Sequence, residues 1–361
     1  MTRRPRVLFV GRTRYRLPLP PSAARKFDAL ARELDVHVLA SAAPGSATAE
    51  NGTFTLVPRR PLDGPRFWLE LPWRTARALR AQRPDAVVAQ TAYEAAAALL
   101  ARRLARSRAK IVLEVHADWR TSTRLYGSPA RRVLSGLGDR LAAAAVRRAD
   151  VVRTVSPFTS GLVRDLGVEP AGTFPAFMEL APFTASPLVP MPEQPRLLFV
   201  GVLEPYKGFD VLVDAWRIAA SQLPDAALYV VGTGSLRDLV PESVRWSPRL
   251  EPEEVAVAMD DAWALVLPSR SEGMGRVLVE AFCRGRGVVG TRAGSIPDLV
   301  EDGRSGLLVD PGDPRALADA IVRVLSDRRL AESLGAAARE SAASWLQTPE
   351  EYAARMRALV E

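Results

Sequence analysis

Short apolar runs alternate with segments of helical periodicity along the whole chain. Such runs, bounded by turn-forming residues, are typical of strands that are buried on both faces of a sheet. The segments 95–105, 130–147 and 208–222 repeat their apolar residues at helical spacing. An α/β fold built on parallel sheets is therefore predicted. The predicted strands are 6–10, 36–40, 86–89, 111–115, 151–155, 196–200, 227–231, 244–246, 264–267, 288–290 and 307–309.

A proline-rich stretch divides this alternation into two halves. Five prolines occur within the fourteen residues from Pro182 to Pro195, and such a stretch continues neither a helix nor a central strand. We therefore predict two doubly wound, Rossmann-like domains, over residues 1–185 and 186–345, joined by a linker. A final helix is predicted within 346–361, and the pattern leaves open whether it packs back on the N-terminal domain.

The basic residues are concentrated in the first half of the chain. The net charge is +8, yet residues 1–185 carry 30 Lys and Arg against 15 Asp and Glu, whereas residues 186–361 carry 19 against 26. A basic half is typical of proteins that meet nucleic acid, an anionic membrane surface or a phosphorylated substrate. Because no aromatic-basic signature of an RNA-binding sheet occurs, we expect no nucleic-acid partner.

Cysteine, histidine and hydropathy limit the class of protein further. One cysteine excludes an intramolecular disulfide, and two histidines argue against a structural zinc site. Neither a signal peptide nor a membrane span is predicted, which indicates a cytoplasmic protein. The residues 67–80 include aromatic and basic side chains, so peripheral contact with the inner face of the membrane stays open as one interpretation. The alternative is a helix that packs into its own domain.

Four glycine-containing turns follow strands of the second half. In open α/β sheets the carboxyl ends of the strands form the edge where ligands bind. One turn runs Pro268-Ser-Arg-Ser-Glu272-Gly273-Met274-Gly275 and leads into a helix that carries Glu280. Its glycines and helix start suit a phosphate, and its two carboxylates suit hydroxyl-rich groups. Ordinary tight turns with solvated glutamates are the alternative. The other turns are 201–208, which contains Lys207, 232–235 and 293–297.

In order and spacing these motifs resemble the retaining glycosyltransferases of family 4, the glycogen-synthase-like group 1 enzymes with the GT-B fold. The match rests on Lys207-Gly208, on a glutamate pair within Pro-Ser-x-x-Glu-Gly-x-Gly, and on the segments 287–298, 302–309 and 311–313. It covers roughly residues 196–325 and is looser in the first half, around His116 and Ser156. The resemblance implies two Rossmann-like domains that face each other across a cleft.

The resemblance also implies a nucleotide-diphosphate sugar as donor, bound by the second domain. Lys207 and the helix start would contact the diphosphate, Glu280 the ribose hydroxyls and Glu272 the transferred sugar. His116 would face that sugar from the first domain. The resemblance implies no metal or other cofactor. It implies no enzymic nucleophile either, because in this family the leaving phosphate serves as base. The implied catalytic residues are His116, Lys207 and Glu272, and the implied donor-binding residues are Gly201, Lys207, Gly232, Gly273, Met274, Gly275 and Glu280.

The acceptor site of the family lies in the first domain. There this chain has Gly11-Arg12-Thr-Arg14-Tyr-Arg16 in place of the glycine pair that is usual after the first strand. We predict that this segment is a loop and that Arg12, Arg14 and Arg16 bind an anionic acceptor. A glycan, a lipid phosphate and a small molecule are the acceptor classes left open.

One departure from the family pattern keeps two other functions open. Val202 stands where many members have an arginine, so a second cation at the diphosphate has to come from elsewhere, with Arg270 and Arg276 as candidates. A nucleotide-sugar epimerase would turn over the donor with no acceptor present. A non-catalytic subunit would bind a nucleotide sugar without hydrolysing or transferring it.

Overall fold

The structure, a computed structural model, describes residues 3–44, 50–58, 63–121 and 135–361 of the chain, without the side chains of 50, 51 and 63–65. It divides into two compact units. The N-terminal unit comprises Met1–Phe177 together with Gln347–Glu361, and the C-terminal unit comprises Met178–Leu346. Each unit is built around its own sheet, and the two are described separately below.

The N-terminal unit contains an eight-stranded sheet of order β3-β4-β2-β1-β5-β6-β7-β8. All neighbouring strands are parallel except β3 and β4. Its central strands are almost fully buried, as the apolar runs predict. The strands are β1 Arg6–Tyr15, β2 Asp35–Ala42, β3 Glu50–Asn51, β4 Phe54–Val57, β5 Ala86–Ala89, β6 Lys110–Val115, β7 Val151–Thr154 and β8 Gly172–Thr173.

Helices connect these strands. The predicted helix start at Ser156 is confirmed, because Ser156 and Thr159 form a reciprocal capping box ahead of the proline at the first helical position. Of the predicted helix 130–147, residues 130–134 lie outside the described residues, and the remainder is helical. The helices of this unit up to the linker are α1 Pro21–Glu33, α2 Asp63–Gln82, α3 Ala92–Ala105, α4 Ser135–Arg148 and α5 Pro157–Arg164.

The prediction of a loop over 11–16 is wrong, because β1 continues to Tyr15. Its pairing with β2 is irregular after Val10 and resumes at Arg14. The aromatic ring of Tyr15 anchors this extension by packing edge-on against Phe27 and Phe54. The segment has no apolar run that would predict a strand, so the pairing depends on contacts made elsewhere in the fold.

The C-terminal unit contains a parallel six-stranded sheet of order β11-β10-β9-β12-β13-β14. Its strands are β9 Arg196–Val200, β10 Ala227–Val231, β11 Arg245–Ser247, β12 Ala264–Leu267, β13 Gly287–Thr291 and β14 Gly306–Val309. Its helices are α6 Ala181–Thr184, α7 Phe209–Ala220, α8 Pro252–Asp260, α9 Arg276–Cys283, α10 Ile296–Leu299, α11 Pro314–Leu325 and α12 Arg328–Ala342. The predicted α/β class with two Rossmann-like sheets is confirmed.

Two buried arginines fix the proline-rich stretch to the C-terminal unit. Arg284 donates to Ser186 O and Pro187 O, both at 2.9 Å, and forms a bidentate ion pair with Asp260. Arg286 donates to the carbonyl oxygen of Val189 at 3.2 Å. These guanidinium groups satisfy carbonyl oxygens that the prolines leave outside regular structure, so the stretch is held along the unit.

A last helix, α13 Pro349–Val360, packs on the N-terminal unit beside α1. Its Tyr352 lies near Arg153 of β7, a fully buried residue whose guanidinium stacks 4.0 Å from the ring of Phe174. Arg153 also pairs with Glu114 of β6. Burial would raise the pKa of Glu114, but the Arg153 charge, together with the hydrogen bond and charge of His116 and the charge of Lys26, outweighs burial and lowers this pKa to about 2.

Replacing Arg153 by leucine should therefore lower the free energy of unfolding by about 3–5 kcal/mol, because Glu114 is left buried without its arginine partner. Urea denaturation followed by circular dichroism measures this. Arg164→Leu is the matched control, since its pair with Glu169 is exposed, and should cost under about 1 kcal/mol. Equal losses in the two variants would contradict the assignment.

The Glu114–Arg153 pair also predicts that the protein loses stability at acidic pH. The folded pKa of Glu114 lies below its ordinary value of 4.5, so its contribution to stability is present above pH 4.5 and is lost as the pH falls towards 2.

Candidate functional site

Lys207 lies at the carboxyl edge of the C-terminal sheet, on the turn that follows β9. A short 3-10 turn, Pro205–Lys207, ends at Gly208, which has a φ of 66°. A Cβ on Gly208 would lie 1.9 Å from the carbonyl oxygen of Pro268. Only glycine combines this backbone conformation with so close an approach. The Lys207 turn is thereby held against the loop that follows β12.

Across this contact Lys207 meets Glu272. The Lys207 Nζ and Glu272 Oε2 atoms are 2.5 Å apart, and the side chains are 16% and 13% exposed. Ser269 Oγ donates to the same carboxylate oxygen at 3.4 Å. A charge-assisted bond in so sheltered a setting is stronger than one in water. Lys207 and Glu272, which the family resemblance assigns to the diphosphate and to the transferred sugar of one donor, are thus in direct contact.

The turn after β13 supports the loop of Glu272 from the other side. Gly294 has a φ of 57°, and a Cβ there would lie 2.0 Å from the Glu272 carbonyl oxygen. Ser295 N donates to that same oxygen at 2.9 Å. The backbone of Glu272 is therefore fixed independently of its side chain.

The glycines of the turn after β10 join that turn to the one after β9. A Cβ on Gly232 would lie 1.8 Å from the carbonyl oxygen of Gly201. Glu204, on the β9 turn, accepts hydrogen bonds from the backbone and the hydroxyl of Ser235 at 2.9 and 2.6 Å. All four glycine-containing turns predicted from the sequence therefore lie along one edge of the sheet, and three of them interlock around Glu272 and Lys207.

Helix α9 begins at this edge. Gly275 is its N-cap, with a φ of 42° and no side-chain cap, and Gly273 and Met274 before it are buried. The helix carries Glu280, a half-buried residue whose carboxylate has no hydrogen-bond or ion-pair partner within the described parts of the chain. Burial raises the pKa of Glu280, and the charge of Arg276 opposes that shift. An unpartnered carboxylate in such a setting is available to a ligand that donates hydrogen bonds.

The structure separates the two candidates for the second cation. Arg270 forms a bidentate ion pair with Asp210, with both distances 2.7 Å, and donates to Pro205 O at 2.5 Å. Its charge is therefore already neutralised, and it braces the Lys207 turn. Arg276 is exposed at the start of α9, with no described partner, so Arg276 is the better candidate. Val202 itself is 43% exposed.

In the N-terminal unit His116 directly follows β6. Its Nε2 atom is 3.4 Å from Glu114 Oε2, so the buried Glu114–Arg153 pair described above also holds the imidazole. Glu94, which the sequence motifs above do not include, is a buried residue that accepts a hydrogen bond from Arg12 N at 3.0 Å and one from the hydroxyl of Thr91. Burial raises its pKa. The signal that would have revealed it is Thr-x-x-Glu at a helix start.

The three predicted acceptor arginines lie at the end of β1 and just beyond it. Arg14 and Arg16 are exposed, and Arg12 is half-buried. Their guanidinium groups have no hydrogen-bond or ion-pair partner among the described residues. Three unpaired cations within five residues are a physical basis for binding an anion.

Neither a metal-binding cluster nor a membrane-spanning helix is found among the described residues. No group of three or more His, Cys, Asp or Glu side chains there could hold a metal ion. No helix there is both long enough and apolar enough to cross a membrane.

Two family models match successive parts of the chain. The model described as "Glycosyltransferase Family 4" matches residues 23–173, and the one described as "Glycosyl transferases group 1" matches residues 194–327. The second match includes Lys207, Glu272 and Glu280, whose geometry is given above. The chain belongs to the group 1, family 4 glycosyltransferases.

The curated relatives match this glycosyltransferase chain over only part of its length. A D-inositol 3-phosphate glycosyltransferase from Nocardioides sp. is 35% identical over 192 residues, 46% of this chain and 42% of the relative. The sulfoquinovosyl transferase SQD2 of Arabidopsis thaliana is 31% identical over 157 residues, 41% of this chain and 30% of the relative. The matches therefore span less than half of these relatives' lengths.

Solved structures extend the likeness of the fold to nearly the whole glycosyltransferase chain. Sucrose-phosphate synthase from Thermosynechococcus elongatus has a TM-score of 0.79 at 20% identity, covering 99% of this chain and 98% of that one. Anabaena HepE in complex with UDP-glucose has a TM-score of 0.69 at 19% identity, covering 98% and 99%. At such identities the likeness shows the fold, which is the GT-B fold of two Rossmann-like α/β units.

The packing of Gly294 leads to a matched prediction. Gly294→Ala and Gly303→Ala both place alanine at a positive φ, of 57° and 78°, but a Cβ at Gly303 has nothing within 4 Å. Gly303→Ala should cost about 1–2 kcal/mol of unfolding free energy, from backbone strain alone. Gly294→Ala should cost more, because its Cβ strikes the Glu272 carbonyl. Equal stability losses in thermal or urea denaturation would remove the proposed support for Glu272.

Proposed function

We propose that the protein transfers a sugar from a nucleotide-diphosphate sugar to an acceptor, with retention of the anomeric configuration and without a metal ion. The observation that carries the proposal is the sheltered Lys207–Glu272 pair, braced by glycine turns on the same sheet edge as the unpartnered Glu280. A cation, a helix start and a free carboxylate are thereby available to one extended ligand.

Lys207 is suited to the diphosphate of the donor. Its ammonium group has three hydrogen atoms to donate, and Glu272 takes one of these bonds. The other two remain for phosphate oxygens. Negative charge develops on the diphosphate as the bond to the sugar breaks, so a cation fixed in advance lowers the barrier to that step. In this proposal Glu272 positions the ammonium group and also accepts a hydrogen bond from the transferred sugar.

The start of α9 completes the diphosphate contact. Its first backbone N–H groups have no side-chain cap, and the dipole of a helix favours an anion at that end. Glycine at 273 and 275 lets the phosphate approach the backbone closely. Arg276, exposed at the first helical position, supplies the second cation that the family pattern otherwise places at position 202.

Glu280 is suited to the ribose. Two neighbouring hydroxyl groups can both donate to one carboxylate, and the described residues offer this carboxylate no other donor. Burial makes such a bond worth more than it would be at the surface. The base of the nucleotide is not assigned by these residues, and the UDP-glucose of the HepE structure makes uridine nucleotides the first to try.

Retention and metal independence are proposed from the family resemblance. The leaving phosphate takes the proton of the acceptor hydroxyl, so this chain supplies no enzymic nucleophile. His116, oriented by Glu114, is proposed to contact the transferred sugar. The chemistry asked of the protein is then mainly to hold the donor and to stabilise the leaving diphosphate.

An anionic acceptor is proposed for the N-terminal unit. Arg12, Arg14 and Arg16 have no described partner there, and unpaired guanidinium groups match phosphate geometry well. Several relatives are named D-inositol 3-phosphate glycosyltransferase, and D-inositol 3-phosphate is a small molecule that carries phosphate. Phosphorylated small molecules and lipid phosphates are therefore the first acceptors to test.

The alternatives differ from the proposal in observable products. An epimerase would convert the donor to its stereoisomer with no acceptor, and a binding subunit would leave the donor unchanged. Neither explains the unpaired arginines at the end of β1, which favour a protein with a second, anionic substrate.

The test is turnover of nucleotide sugars by the wild-type protein and by Lys207→Ala. Loss of one fixed donor to the leaving group should lower the rate about a hundred- to a thousandfold. Released nucleotide is measured with a panel of phosphorylated acceptors, with and without EDTA, and the anomeric configuration of the product is read by NMR.

Arg217→Ala is the matched control, because this cation lies on the same unit in an exposed pair with Asp214, and it should leave the rate unchanged. Full activity of folded Lys207→Ala would remove the diphosphate role. An inverted product would contradict retention, and inactivation by EDTA would contradict metal independence.

Glu280→Gln should weaken binding of the matching nucleoside diphosphate, because an amide accepts hydrogen bonds less strongly than a carboxylate. Thermal stabilisation by ligand measures this, since about a hundredfold excess over Kd adds about 2.7 kcal/mol. The raised pKa of Glu280 also predicts that wild-type affinity falls as the pH drops through that pKa. The glutamine variant should lack this pH dependence. Unchanged affinity and pH profile would show that Glu280 does not bind the ribose.

A further inference from the structure

Six large apolar side chains are exposed on three helices of the N-terminal unit. Each helix contributes two of them, spaced four residues apart, so the members of each pair lie on one side of their helix. Their exposed fractions are 78% and 62% on α2, 44% and 40% on α3, and 68% and 51% on α4. The residues are Leu69 and Trp73, Leu100 and Leu104, and Leu137 and Leu141.

The three helices form one layer. Helix α3 contacts α2 on one side and α4 on the other, and all three bury their opposite sides in the same core above the sheet. The exposed pairs therefore lie on the outer side of a single layer. We call this outer side the helix-layer face.

The remainder of this face has an unusual composition. Every other exposed residue that the structure describes on the three helices is arginine, alanine or glycine, and none is acidic. Arg77 on α2, Arg103 on α3 and Arg140 on α4 have no hydrogen-bond or ion-pair partner among the described residues. Glu70 is shielded between Arg66 and Arg74. Ordinary soluble surfaces intersperse charges of both signs.

This composition decides between two kinds of partner. A second copy of the chain would cover the apolar residues, but it would also bring unpaired arginines against unpaired arginines in a partly dehydrated contact. Such like-charge contacts are costly. A surface of anionic lipid offers acyl chains to leucine and tryptophan and phosphate groups to arginine at the same time.

We propose that the helix-layer face docks on an anionic lipid bilayer. The helices lie along the interface, Leu69, Trp73 and Leu137 enter the boundary between headgroups and acyl chains, and the arginines bind lipid phosphates. Contact of this kind needs no helix that spans the membrane. The inference is independent of the proposed sugar transfer, because the face includes none of the residues assigned to donor or acceptor.

The experiment is co-sedimentation of the full chain with vesicles of phosphatidylcholine alone or of equal parts phosphatidylcholine and phosphatidylglycerol. We expect binding to the anionic vesicles, weak binding to the neutral ones and release by salt. Replacing Arg77, Arg103 and Arg140 together by glutamine should weaken anionic binding about a hundredfold, at about fivefold per arginine. The triple serine variant of Leu69, Trp73 and Leu137 should weaken it at least about tenfold.

The matched control is Val257→Ser with Arg323→Gln, which removes an equally exposed apolar residue and an exposed cation from the C-terminal unit. It should bind as wild type. The proposal is overturned if the wild-type protein ignores anionic vesicles, binds both vesicle types equally, or is unaffected by the changes to the face. A dimer in analytical ultracentrifugation that the serine variant abolishes would also overturn it, because a second copy would then cover the face. Thermal denaturation confirms that each variant is folded.

Discussion

The contact between Lys207 and Glu272 depends on how closely two backbone turns approach each other. Both side chains are largely shielded from solvent, and so sheltered an ion pair is stable only if the surrounding chain holds its geometry. Glycine at 208 and at 294 permits that geometry, because any side chain there would strike the carbonyl oxygen of Pro268 or of Glu272. These two glycines therefore shape the backbone of the protein itself, and they affect a ligand only through the positions of Lys207 and Glu272.

This arrangement has a consequence for ligand binding. The ammonium group of Lys207 is already oriented by a carboxylate, so a diphosphate would meet a cation that loses little further freedom on binding. The cost is that Glu272 neutralises part of the charge. Selectivity then comes from a ligand that serves both partners, with phosphate oxygens for the lysine and a hydroxyl group for the glutamate. A simple phosphate would satisfy only the first of these.

The strands and their order of appearance could be predicted because central parallel strands are buried on both faces and so read as apolar runs. The end of β1 could not, since Arg14 and Tyr15 join the sheet through an irregular register and aromatic contacts with distant residues. Glu114 and Arg153 interrupt two apolar strands in the sequence, and only the neighbouring positions of β6 and β7 reveal that they neutralise each other.

The candidate site shows the same division. Its residue types could be predicted from four local turns, each read on its own. The pairing of Lys207 with Glu272 could not, because it follows from β9 and β12 being neighbours in the sheet although two other strands separate them in sequence.

The role of an arginine in this chain depends on where it lies in the fold, and the net charge alone does not reveal that role. The chain has only three lysines, so nearly all of its positive charge is arginine. In the C-terminal unit Arg284 and Arg286 are buried and donate hydrogen bonds to carbonyl oxygens. Their role is therefore structural and does not depend on the net charge of the chain. At the end of β1 the guanidinium groups of Arg12, Arg14 and Arg16 have no partner among the described residues, and the same holds for Arg77, Arg103 and Arg140 on the helix-layer face. An anionic acceptor and an anionic lipid surface are therefore separate inferences from separate arginines, and neither follows from the net charge of +8.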